Sequence, residues 1–196
     1  TTMKCALKLV IQSLRVVEID DWLSDSNLNC VKDKIKELSV QKQDRPARFN
    51  AICHELFEPD LIFCHLKVKD KKSLLSMLCN KLVDKGYVTK KYFKTVMERE
   101  NMTPTSIGNG VAIPHGDTQE VNTAKIVIAT LDKPILWDSK YVDVVFLLVV
   151  KFSTDFEIRR TQQFYTQYIK LVDGDEQVSI LRGFTSNIDF YRFLIQ

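Results

Sequence analysis

Arg99-Glu100-Asn101-Met102-Thr103-Pro104-Thr105-Ser106-Ile107-Gly108-Asn109-Gly110-Val111-Ala112-Ile113-Pro114-His115-Gly116 is the stretch from which the rest of the chain is read. The 196 residues include six glycines and three histidines, and three of those glycines and one histidine fall between Gly108 and Gly116. Gly108 and Gly110 permit backbone conformations that a Cβ would block, so the amides around Asn109 can face a bound anion. Val111-Ala112-Ile113 reads as a short buried strand, and Pro114 ends its ladder. His115 is thereby held just past a strand end, presented to a partner without a flexible tether. Imidazole offers a nucleophilic nitrogen near neutral pH, and a hydrogen bond on its other nitrogen selects the tautomer. Taken alone, a histidine in such a turn is as readily a surface or capping residue. Asp117, two residues on, orients the ring only if the turn allows it.

The totals narrow the class. Lys and Arg number 28 against 25 Asp and Glu, too even a balance for a nucleic-acid surface. Five dispersed cysteines, Cys5, Cys30, Cys53, Cys64 and Cys79, form no Cys-x-x-Cys pair and read as small buried hydrophobes in a reducing cytoplasm. The longest apolar run, Val144 to Val150, has the length of a buried strand rather than a membrane span. No signal-peptide pattern opens the chain, and Thr1-Thr2 without an initiator methionine suggests a fragment, a tag scar or processing.

Residues 1 to 40 read as strand, strand and amphipathic helix, and the polar stretch 41–55 as a linker. Cys53-His54 and Cys64-His65 invite a metal reading, but their spacing fits no usual ligand pattern, so no metal is expected. Leu61 to Val68 reads as a strand. Asp70 caps a helix with Leu74, Leu75, Leu78, Leu82 and Val83 on one stripe, ended by Gly86. Thr89 caps the next, with Tyr92, Phe93, Val96 and Met97 on its apolar face, closed by Glu98-Arg99-Glu100. Lys125 to Leu131 and Val142 to Val150 read as buried strands separated by a loop containing Pro134 and Trp137. Helices on Phe164, Tyr165, Tyr168, Leu171 and Val172, on Val178, Ile180 and Leu181, and on Ile188, Phe190, Phe193 and Leu194 complete the chain. Strands alternating with helices define an α/β sandwich with a mixed sheet.

From about residue 56 to 196, and above all in the quoted stretch, the chain resembles the enzyme IIA domains of the bacterial phosphotransferase system, of the mannitol/fructose class. The resemblance implies a mixed-sheet α/β sandwich of that type, and a His115 that accepts a phosphoryl group from the carrier HPr. It also implies that Arg99, with Thr105, Gly108, Asn109 and Gly110, holds the phosphate, with no cofactor or metal. Without the resemblance, a plain salt bridge would be the natural reading of Arg99. Residues 1 to 40 are weakly similar to the closing part of an enzyme IIB-like domain, but Cys5 lacks that family's phosphocysteine turn and receives no role. Transporting members carry a second histidine on the long helix after the last strand; that position falls near Thr161 or Gln162, and no histidine follows His115. The absence favours the similar modules at the carboxyl ends of transcriptional activators and antiterminators, which follow a IIB-like domain. A transport phosphocarrier, or a domain that only binds a partner, remains the alternative.

Overall fold

The computed structural model describes residues 51 to 195, which fall in one unit, 48–196. The expected strand-strand-helix at 1 to 40 and most of the 41–55 linker lie outside the described residues. The last linker positions carry a helical turn, α1 (Ala51–His54). Its Cys53 is buried and donates from Sγ to the Arg160 carbonyl at 3.8 Å; burial pushes the thiol up to about 11.

A 3-10 turn (Pro59–Leu61) enters the first strand, β1 (Ile62–Leu66). Helix α2 (Lys71–Asp84) follows, its end capped reciprocally by Asp70 and Ser73. After it, α3 (Tyr92–Met102) begins without a side-chain cap. The expected cap, Thr89, serves the turn before it: its hydroxyl accepts from Lys91 N–H and its carbonyl from Tyr92 N–H. Then come β2 (Ser106–Gly108), β3 (Val111–Ala112), β4 (Lys125–Trp137) and β5 (Lys140–Val149). Helices α4 (Asp155–Val172), α5 (Asp175–Arg182) and α6 (Asn187–Ile195) end the chain. Among the described residues no helix is long and apolar enough to cross a membrane.

The strands form one mixed sheet in the order β1-β4-β5-β3-β2, with β1 parallel to β4 and β3 parallel to β5. Residues along β4 and β5 alternate between its faces. Val127, Ala129, Val145, Leu147 and Val149 join Leu74, Leu75, Leu78 and Leu82 of α2 and Tyr92 and Val96 of α3 in one core. On the other face Phe146 meets the edge of the Tyr168 ring of α4, with ring centroids 4.8 Å apart. Helices on both faces make the α/β sandwich expected.

Two expectations are corrected. Pro134 and Trp137 are not in a loop: β4 runs through both, and only Asp138 and Ser139 separate it from β5. Pro134 is tolerated because the β4–β5 register shifts between Thr130 and Ile135, where a missing N–H breaks no regular ladder. Ile180 and Ile188 are half-exposed; Val178, Leu181, Phe190 and Leu194 carry the apolar faces of α5 and α6.

The β2–β3 turn is fastened from outside. Arg182 of α5 grips the Asp143 carboxylate through Nε and Nη2, each at 2.8 Å, and donates from Nη2 to the Asn109 carbonyl at 2.7 Å. Gly110 has φ +75°, and a Cβ there would lie 2.5 Å from both Arg182 Nη2 and Asp143 Oδ1. Gly86, φ +72°, has open space around the same position. Gly86→Ala is therefore expected to cost about 1 kcal/mol, the strain of a left-handed backbone. Gly110→Ala is expected to cost at least about twice as much, since the methyl must also displace an ion pair. Urea unfolding of the two variants checks that order.

Candidate functional site

The site begins where β3 stops pairing with β5. Val111 pairs with Val144 and Ala112 with Val145, and a single further bridge joins His115 to Leu148. That bridge is fastened by Leu148 N–H donating to the Pro114 carbonyl at 2.8 Å. His115 is therefore seated beside the carboxyl end of β5.

The ring is not presented openly, as the sequence suggested: His115 is only 7 % exposed. Its Nδ1 lies 3.1 Å from the Ile113 carbonyl. Because a carbonyl only accepts, Nδ1 carries the proton and Nε2 holds the lone pair. Nε2 is buried and has no hydrogen-bond partner. Burial lowers the His115 pKa to about 4; the bond to the Ile113 carbonyl opposes this, and the charge of Arg99 adds to it. The ring is thus neutral at pH 7, with its free nitrogen unprotonated.

Arg99 lies in the last turn of α3, half-buried, its Nη1 donating to the Thr103 carbonyl at 3.0 Å. Its charge is felt at His115, as the smallest of the three influences on the ring. The next residue turns the other way. Glu100 is 1 % exposed. Its carboxylate accepts from Trp137 Nε1 at 2.8 Å, from Thr105 N–H at 3.4 Å and from the Thr105 hydroxyl, with Lys71 Nζ at 3.6 Å. Adjacent residues on a helix diverge by about 100°. Glu100 therefore anchors the helix end to β4 while Arg99 points elsewhere, to the Thr103 carbonyl.

The remaining expected phosphate ligands do not converge on His115. The Thr105 side chain is wholly buried and committed to Glu100. Gly108, Asn109 and Gly110 lie at the opposite end of β3: the Gly110 carbonyl accepts from Asp143 and Val144, at the other end of β5 from Leu148. The β5 partners of Val111 and His115, Val144 and Leu148, are four residues apart along that strand, about 13 Å, too far for these amides to touch a group on the ring. Asp117 does not orient the ring either; its carboxylate accepts from Gln119 N–H at 2.9 Å. At the position expected of a second histidine, Thr161 is buried in α4 and Gln162 is exposed.

Two contributors were missed in the sequence. Tyr92, read as core, accepts from Gly116 N–H at 3.2 Å and donates to the Leu148 carbonyl at 2.8 Å. Glu100, read as the polar end of a helix, is a buried anchor. Its signal was Trp137, whose indole N–H in an apolar strand must find an acceptor.

This fold is that of a known class. Residues 55–196 match the family described as "Phosphoenolpyruvate-dependent sugar phosphotransferase system, EIIA 2", and the chain belongs to that family. It is 32 % identical over 136 residues to the transcriptional regulator ManR of Bacillus subtilis, covering 69 % of this chain and 20 % of that protein. It is 35 % identical over 95 residues to the mannitol-specific phosphotransferase enzyme IIA component of Staphylococcus aureus, covering 46 % of this chain and 65 % of that one. The crystal structure of IIA mannitol from Escherichia coli superposes with a TM-score of 0.59 at 21 % identity, over 70 % of this chain and 98 % of that one, which shows the fold. The chain thus spans about a fifth of the length of the regulator it matches.

The folded His115 pKa, about 4, lies below the ordinary 6.5. The unfolded chain therefore binds the extra proton first, and stability falls as pH drops from 6.5 to 4. The loss is expected to be about 3 kcal/mol and to be absent from His115→Gln, as read by urea titrations across that window. Glu100→Ala, which strands a buried indole and a threonine hydroxyl, is expected to cost about 3 kcal/mol in the same assay.

Proposed function

We propose that the domain is a phosphoacceptor in which the lone pair of His115 Nε2 attacks the phosphorus of phospho-HPr. A bond forms from Nε2 to phosphorus as phosphorus leaves the donor atom. No proton has to depart first, since the neutral ring attacks. The observation that carries the reading is the tautomer: Nδ1 is tied to the Ile113 carbonyl and Nε2 is left unpartnered beside the charge of Arg99. Arg99 pairs with the transferred oxygens and stabilises their charge as it develops. The burial of Nε2 means that the docking donor has to uncover it.

The product carries close to two added negative charges. In the proposed setting, a cytoplasmic transcriptional regulator, that charge alters how the domain docks on upstream regulatory or IIB-like domains of the same polypeptide, so that sugar supply controls gene expression. The domain itself touches neither nucleic acid nor membrane in this scheme. Thr161 and Gln162, standing where transporters place a second imidazole, support regulation over rapid onward transfer.

Incubation with phosphoenolpyruvate, enzyme I and HPr is expected to label the protein and not His115→Ala. Equal, negligible labelling of both would overturn the reading, and transfer from labelled protein to a sugar would favour a transport carrier. Arg99→Ala is expected to lower the rate about 100-fold. The wild-type rate should be flat from pH 8 to 5.5 and fall as pH approaches the His115 pKa of about 4.

A further inference from the structure

A parallel bridge between His115 and Leu148 calls for two hydrogen bonds: Leu148 N–H to the Pro114 carbonyl, and Gly116 N–H to the Leu148 carbonyl. The first is made, at 2.8 Å. Where the second belongs stands the hydroxyl of Tyr92, accepting from Gly116 at 3.2 Å and donating to Leu148 at 2.8 Å. A side chain of α3 is thus spliced into the ladder one peptide beyond the histidine. Burial raises the phenol pKa, so the proton it donates stays in place.

Neighbouring contacts fit the splice. Thr95, one helical turn along α3, accepts from Asp117 N–H at 3.0 Å through its hydroxyl. A Cβ on Gly116 would lie 2.6 Å from Thr95 Oγ1 and 2.7 Å from Tyr92 Cε2, so the segment lies directly against α3. Both peptides after the histidine are therefore held by the helix that carries Arg99.

We propose that Tyr92 is a positioning residue for His115: its hydroxyl, inserted between Gly116 N–H and the Leu148 carbonyl, sets the ring's orientation and its registration with Arg99. The inference rests on the phosphoacceptor reading for its kinetic consequence but not for its geometry. In Tyr92→Phe the ring still fills the core, while the two backbone groups either close on each other or stay unpaired. Either way the peptide after His115 moves, and the Nδ1 contact with Ile113 is disturbed.

The test compares wild type, Tyr92→Phe and the core control Leu78→Ala, using phospho-HPr transfer rates and the imidazole 15N shifts of His115. Tyr92→Phe is expected to lower kcat at least tenfold with KM for phospho-HPr unchanged, and to move the nitrogen shifts away from a pure Nδ1–H tautomer. Leu78→Ala should lose stability while keeping both kcat and the shifts. Wild-type kcat and shifts in Tyr92→Phe, or equal loss of kcat in Leu78→Ala, would overturn the proposal. A wild type that takes no phosphate would instead sink the phosphoacceptor reading, and the nitrogen shifts would then judge Tyr92 alone.

Discussion

The parallel pairing of β3 with β5 is the constraint on which the rest of the site depends. Only two residues of β3 are regular strand, yet the register they set, Val111 to Val144 and Ala112 to Val145, carries forward to seat His115 against Leu148. The same register carries Gly110 backward to the start of β5, where Asp143 and Arg182 hold it. A strand this short contributes little pairing energy of its own. It is fixed by what meets its two ends, an ion pair at one and the Tyr92 hydroxyl at the other.

Helix α3 then does two jobs with one end. Glu100 fastens it inward to Trp137 and Thr105, while Arg99 stays outside that anchor, on the Thr103 carbonyl, for the role proposed for it. A buried carboxylate is costly unless its lone pairs are used, and here three donors and the nearby Lys71 ammonium use them. The anchor matters because an arginine useful to a phosphoryl group must not drift by an ångström or so. Tyr92 near the start of the same helix and Arg99 near its end tie ring and guanidinium to one rigid body.

How much of this was legible in the sequence follows from the range of each interaction. The helix from Asp70 to Gly86 could be read because cap, stripe and stop are all local. So could the seat of His115 just past a strand end, since Pro114 and Gly116 flank it directly. The glycine turn was misassigned for a physical reason: five residues look adjacent in a string, but a strand spreads them over about 16 Å, whereas a helix would keep them within about 8 Å. Thr105 was misassigned because nothing local shows that Glu100 turns inward to claim its hydroxyl. The extension of β4 through Pro134 and Trp137 was hidden because a register shift, visible only against β5, is what makes that proline harmless.

The burial of His115 has opposite effects on the proposed chemistry. Desolvation keeps the ring neutral far below pH 7, so its free nitrogen is unprotonated whenever a donor arrives. It also excludes water, which would otherwise compete for phosphorus once a nitrogen–phosphorus bond has formed. Against this, a nitrogen with no exposed surface cannot be reached by a rigid encounter, so some binding energy from the donor must go into uncovering it. A carrier that has to turn over quickly in both directions is slowed by that step. A regulator, which needs only to hold its charge long enough to change its contacts, gains from the slower loss.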